Sequence, residues 1–96
     1  MQFKQLKLEL DRVFSRIQQQ SSDGELPSLE DVKAFAHYCS RMQTQAPEEW
    51  AEEADDFSHL ATQLLRSVKN EDIQGVLPLL DSLDDAMNFC HRTFRP

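Results

Sequence analysis

The fold is decided by a stretch near the amino terminus, residues 2–20, which reads QFKQLKLELDRVFSRIQQQ. Its apolar side chains recur at steps of three and four residues, so they share one side of an α-helix. They are Phe3, Leu6, Leu10, Val13, Phe14 and Ile17. The pattern predicts an amphipathic helix over Gln2–Gln20. This helix must bury its stripe against other helices, because an isolated helix of such length is not stable in water.

A second helix is predicted after the run Ser21–Pro27, in which glycine and proline interrupt the helical period. Ser28 and Asp31 are spaced like a capping box, with aspartate in place of the usual glutamate or glutamine. The helical period then continues to about Gln45. The stripe predicted to be buried is Leu29, Val32, Phe35, Ala36, Cys39 and Met42.

Two more helices complete the chain. Pro47 favours the first turn of a third helix, Glu48–Val68, and the short connection Lys69–Asp72 leads into a fourth, Ile73–Arg95. Pro78 is expected in the first two turns of the fourth helix or at a kink. The predicted buried positions are Trp50, Ala54, Phe57, Ala61, Leu64, Leu65 and Val68 in the third helix and Ile73, Val76, Leu77, Leu80, Leu83, Met87 and Phe94 in the fourth.

Length and composition agree with this arrangement. The 96 residues make one domain, residues 1–96, which is too small for a two-domain enzyme or a barrel. Only two glycines and four prolines are present, too few for the turns of a many-stranded sheet protein. The sequence therefore predicts an all-α fold, an antiparallel up-down-up-down four-helix bundle.

Charge and hydropathy exclude several classes of function. Seventeen acidic and ten basic side chains give a net charge of −7, which repels nucleic acid and anionic membrane surfaces. No apolar stretch is long enough to predict a membrane span. The first twenty residues lack the apolar segment of a signal peptide, although a mature exported protein would look the same. Two cysteines, Cys39 and Cys90, are too few for a disulfide scaffold, and helical topology leaves their pairing open.

Motifs for catalysis are absent from the sequence. There is no glycine-rich phosphate loop, nucleophile elbow, His-Glu-x-x-His pair or Glu-x-x-His repeat, so no enzymatic activity is predicted. The acidic run Glu48–Asp56 lacks the ligand spacing and central glycine of a calcium-binding loop, which favours a solvated face.

Two of the three histidines offer little chemistry. His37 has no carboxylate or second histidine at a matched spacing, which predicts a partly exposed surface residue. His59 lies on the flank of the third helix. A histidine on a bundle helix can accept a phosphoryl group, so a phosphotransfer module that uses His59 is one interpretation of the sequence. The small residues that keep such a histidine accessible are missing, because Leu60 and Ala61 follow it.

The third histidine, His91, lies next to a thiol near the end of the fourth helix, in the segment Met87-Asn88-Phe89-Cys90-His91. A cysteine beside an imidazole can be joined to a haem vinyl group while the imidazole ligates the iron. The usual motif is Cys-x-x-Cys-His, and Met87 stands in place of its first cysteine. Without a haem, the imidazole complements the negative end of the helix dipole and Cys90 packs as a small apolar side chain.

The final segment, Cys90-His91-Arg92-Thr93-Phe94-Arg95, resembles the end of the cytochrome c-prime family. Those chains finish their fourth helix with Cys-x-x-Cys-His, followed two residues later by an aromatic residue and an arginine. The segment is also similar to the soluble periplasmic b-type cytochrome of the same four-helix fold. The similarity extends over most of the chain, and its specific part is the last six residues.

This resemblance implies a haem-binding protein that transfers electrons or binds a small gas. His91 would ligate the haem iron, and Cys90 would provide the one thioether of a c-type haem, unless the haem is bound non-covalently. Arg95 would be a cation near the haem edge, and Met87 a neighbour of the ring. The first helix would close the distal side with Leu6, Leu10 and Phe14.

The resemblance also implies partners and a location. The partner would be a small redox protein or a diatomic gas, and family members suggest a homodimer. Haem attachment of this type implies a periplasmic protein from which a leader was removed; otherwise the chain is cytoplasmic. The alternative is a haem-free bundle with an interaction or structural role, in which side chains such as Met87, Phe89, Phe94 and Phe14 refill the pocket.

Overall fold

The computed structural model describes residues 3–93, apart from the side chains of Phe3, Trp50 and residues 89–93. Within these limits the chain forms α-helices and one 3₁₀ turn and has no strand. The helices are α1 (Phe3–Ser22), α2 (Leu29–Gln45), α3 (Ala51–Lys69) and α4 (Ile73–Thr93). Each packs against the next in sequence, and the short connections make these neighbours antiparallel. The predicted all-α four-helix bundle is confirmed.

The helix ends differ from the prediction in two places. α1 continues two residues beyond its predicted end, to Ser22. The third predicted helix starts as a 3₁₀ turn, Glu48–Trp50, and becomes α-helical only from Ala51. Pro47 precedes that turn in an extended conformation, and tight 3₁₀ turns are common where an α-helix starts. Pro78 lies in the second turn of α4, as expected.

The predicted capping box at the start of α2 is wrong. The Ser28 side chain makes no capping hydrogen bond, and its backbone N–H instead donates to Oε1 of Gln20 at 2.8 Å. Asp31 accepts a hydrogen bond from Nη2 of Arg16 on α1 at 3.1 Å. Because aspartate is shorter than glutamate, its carboxylate serves this contact between helices rather than reaching back to the start of its own helix.

The buried faces of the four helices form one continuous core, and three aromatic rings cross its middle. The Phe35 ring stacks on Phe14 with centroids 5.3 Å apart and meets Phe57 at 5.8 Å, so α1, α2 and α3 are joined through α2. Two predicted core residues are exposed instead, Leu29 at 39% and Leu77 at 48%. Leu29 is the first residue of α2, and Leu77 lies on the side of α4 toward α1, where the bundle is open.

Helices α1 and α3 end in the same Schellman motif. After α1, the N–H of Glu25 donates to the carbonyl of Gln20 at 3.1 Å, and the equivalent bond after α3 is 2.9 Å. The motif needs one residue in the left-handed conformation. That residue is Gly24 after α1, with φ of 81°, but Glu71 after α3, with φ of 55°.

Glycine at position 71 is expected to stabilise the protein. A side chain in the left-handed region costs about 1–2 kcal/mol, part of which is offset by the greater chain entropy of glycine, so Glu71→Gly should gain roughly 0.5–1 kcal/mol. Gly24→Ala is the matched reverse change and should lose roughly 1 kcal/mol. No atom lies within 4 Å of a Cβ added at Gly24, so the loss measures the backbone alone. Urea unfolding of both variants tests this, and destabilisation by Glu71→Gly would contradict it.

Candidate functional site

The three α1 residues predicted to close the distal side of a haem pocket are all buried. Leu6, Leu10 and Phe14 lie on the inner face of α1, and the Phe14 ring is held by its stacking on Phe35. These side chains offer no hydrogen-bonding or ligating atom. They form an apolar wall on the core side of α1.

The α4 side of the same region is described only in part. Met87 is half-buried and packs against the core, and the backbone of α4 stays helical through Thr93. The predictions at Cys90 and His91 concern side chains outside the described part of the chain. Arg95 lies wholly outside it.

The core at this end of the bundle contains small and flexible side chains. Because the helices alternate in direction, α2 ends and α3 begins beside the start of α1. A hydrogen bond of 2.6 Å from Gln43 to Asp55 joins α2 to α3 at this end. Buried here are Cys39, Met42 and Ala54.

Cys39 is a free thiol in the described part of the chain, and the predicted open question of its pairing with Cys90 concerns a side chain outside that part. Its side chain is fully buried, and this burial raises the pKa of the thiol well above its usual value because the thiolate would lose its hydration. At neutral pH Cys39 is therefore protonated and packs as a small apolar side chain.

The other chemistry-bearing residues lie apart from one another on the surface. His37 is exposed, as expected, and so is His59, where the Gln63 amide nitrogen lies 2.9 Å from Nε2. Most carboxylates of the run Glu48–Asp56 are exposed, in agreement with a solvated face. Among the described residues, no three histidine, cysteine, aspartate or glutamate side chains are grouped to hold a metal ion.

A cleft between α1 and α4 was not anticipated from the sequence. These two helices are not among the closely packed pairs in the described part of the bundle, and one hydrogen bond of 3.3 Å, from Nε2 of Gln18 to Oδ1 of Asp84, links them. The cleft has a volume of about 360 Å³. Its lining consists of Gln18, Ser21, Ser22, Leu77, Leu80, Asp81 and Asp84. The sequence signal for this cleft is the adjacent pair Val76-Leu77. Two adjacent apolar residues make the apolar stripe of α4 wider than a single neighbouring helix can cover.

Comparisons with known proteins add no further assignment. None of the helices in the described part has a segment long and apolar enough to cross a membrane. A four-helix bundle supports many functions, so the fold alone does not identify one. No family model, curated protein or solved structure matches the chain.

Proposed function

We propose that the protein binds haem at the end of the bundle where α4 finishes, with His91 as the iron ligand. The haem is held by one thioether to Cys90 or non-covalently, and the protein transfers electrons or binds a small gas. Bound haem would supply a redox-active iron, and the chain would supply its ligand and an apolar enclosure.

The observation that carries this proposal is the register between α1 and α4. Gln18 bonds to Asp84, and the two helices run in opposite directions. His91 lies seven residues beyond Asp84, and seven residues before Gln18 is Asp11, so the His91 backbone is level with the segment from Leu10 to Phe14. The apolar wall therefore lies at the height of the Cys-His pair.

The chemistry of that wall offers no second iron ligand on the distal side. Leu6, Leu10 and Phe14 carry no atom that ligates iron, and all three are buried. If electron transfer is the role, the net charge of −7 suits a small basic redox protein as the partner. Attachment through a thioether would locate the protein in the periplasm.

A haem-free bundle with an interaction or structural role is the second candidate. The observation that favours it is the aromatic stack of Phe14, Phe35 and Phe57, which fills the middle of the core with protein side chains. In that case Cys90 and His91 are remnants of a haem site that has been lost, and the last turns of α4 pack without a cofactor.

Titration with hemin separates the two candidates. The expected result for the purified chain is a shifted, intensified Soret band that saturates at one equivalent. Extraction with acidified acetone after expression with haem supplied then distinguishes a thioether, which keeps the haem on the protein, from non-covalent binding. A colourless protein that leaves the hemin spectrum unchanged would contradict haem binding and support the haem-free bundle.

A further inference from the structure

The cleft between α1 and α4 lies toward the opposite end of the bundle from the proposed haem. Ser22 is the last residue of α1 and Leu77 is in the second turn of α4, so the cleft is near the end of one helix and the start of the other. None of the residues assigned to haem lines it. Its side chains are therefore available for a separate role.

The cleft is acidic. Asp81 and Asp84 line it, and Asp84 has a neutral partner, the Gln18 amide. Asp81 is exposed and forms no salt bridge among the described residues. No lysine or arginine occurs between Ile73 and Cys90, so α4 offers no internal cation near these carboxylates. A positively charged group is the natural complement.

The same cleft exposes apolar surface. Leu77 is 48% exposed although its neighbour Leu80 is buried. An apolar side chain beside carboxylates is complementary to a helix that carries leucines on one face and basic residues along the edge of that face.

We propose that the α1–α4 cleft binds a basic amphipathic helix of a partner protein. The partner places an apolar side chain on Leu77 and basic side chains beside Asp81 and Asp84. A second copy of this chain is disfavoured as the occupant, because both copies carry a net charge of −7 and repel each other.

The test uses two synthetic labelled peptides of about five helical turns with the same leucine stripe. One carries lysine and arginine on its flanks and the other carries glutamate. Fluorescence anisotropy with the full chain should show saturable binding of the basic peptide only. Leu77→Asp should weaken that binding by at least about tenfold, and Asp81→Asn should weaken it less.

The matched controls exclude bulk electrostatic attraction. Leu8 is 59% exposed on α1 and does not line the cleft, so Leu8→Asp adds the same charge elsewhere and should change the affinity less than about twofold. Asp85→Asn is the matched control for Asp81→Asn, since Asp85 is exposed on α4 outside the cleft. Circular dichroism confirms that each variant is folded, and the hemin titration of Leu77→Asp should equal that of the natural chain.

Three outcomes would overturn the assignment. Equal weakening by Leu8→Asp and Leu77→Asp shows non-specific attraction, and equal binding of both peptides shows that charge is not recognised. A dimer in analytical ultracentrifugation that Leu77→Asp dissociates shows that a second copy occupies the cleft.

Discussion

Replacing Phe35 by alanine is expected to lower the free energy of unfolding by about 3–5 kcal/mol. Its side chain is 0% exposed and contacts the rings of Phe14 and Phe57, so its loss leaves a cavity where α1, α2 and α3 meet. A domain of this size has about 5–15 kcal/mol in total, so this single change removes a large part of its stability. Urea unfolding followed by far-ultraviolet circular dichroism measures the effect.

Two variants control for this experiment. Phe35→Leu keeps most of the buried volume and should cost less than half as much as Phe35→Ala. Leu8→Ala removes an exposed leucine and should change the free energy of unfolding by less than about 0.5 kcal/mol. A loss below about 1.5 kcal/mol for Phe35→Ala would show that the aromatic stack does not organise the core.

The aromatic stack also illustrates what helical periodicity predicts. Steps of three and four residues put Phe14, Phe35 and Phe57 on the inner sides of their helices, and all three are buried. Whether the three rings contact one another depends on how far each helix is displaced along its neighbour. The lengths of the connections do not fix this displacement. The pattern therefore predicts which side chains are inside but not their contacts.

The error at Leu77 has a similar cause, whereas Leu29 is exposed because it is the first residue of α2. Periodicity identifies the apolar face of a helix. How much of that face is buried depends on the positions of the neighbouring helices. Leu77 is exposed because α1 and α4 are further apart than a closed bundle predicts. The failed capping box is a competition of the same kind, since Arg16 on another helix takes the carboxylate of Asp31.

For the candidate site, the sequence predicts the apolar wall but not the cleft. Leu6, Leu10 and Phe14 follow directly from the α1 stripe, and their burial agrees with it. The cleft arises from an interhelical separation, which no spacing within one helix encodes. The roles of Cys90 and His91 stay predictions, and spectroscopy of variants tests them.

On the proposed function, His91→Ala should abolish the spectrum of histidine-ligated haem. His37 and His59 are exposed on α2 and α3. Neither lies on α4, the helix whose register with α1 makes its last turns level with the apolar wall. Replacing even outer-shell residues commonly costs 10–100-fold in metal affinity, so removing the ligand itself should lower the affinity for hemin by at least about 100-fold. Absorption spectroscopy during hemin titration measures both effects.

The other two histidines provide matched controls for His91→Ala. His37→Ala and His59→Ala each remove one imidazole and should leave the Soret band unchanged, whereas binding to surface histidines would be weakened by any of the three changes. Cys90→Ala should keep the spectrum and make a covalently held haem extractable. Added imidazole should restore the spectrum of His91→Ala, because the apolar wall remains and the vacated space admits the free ligand. Full spectral character in His91→Ala without imidazole would contradict the assignment of His91 as the iron ligand.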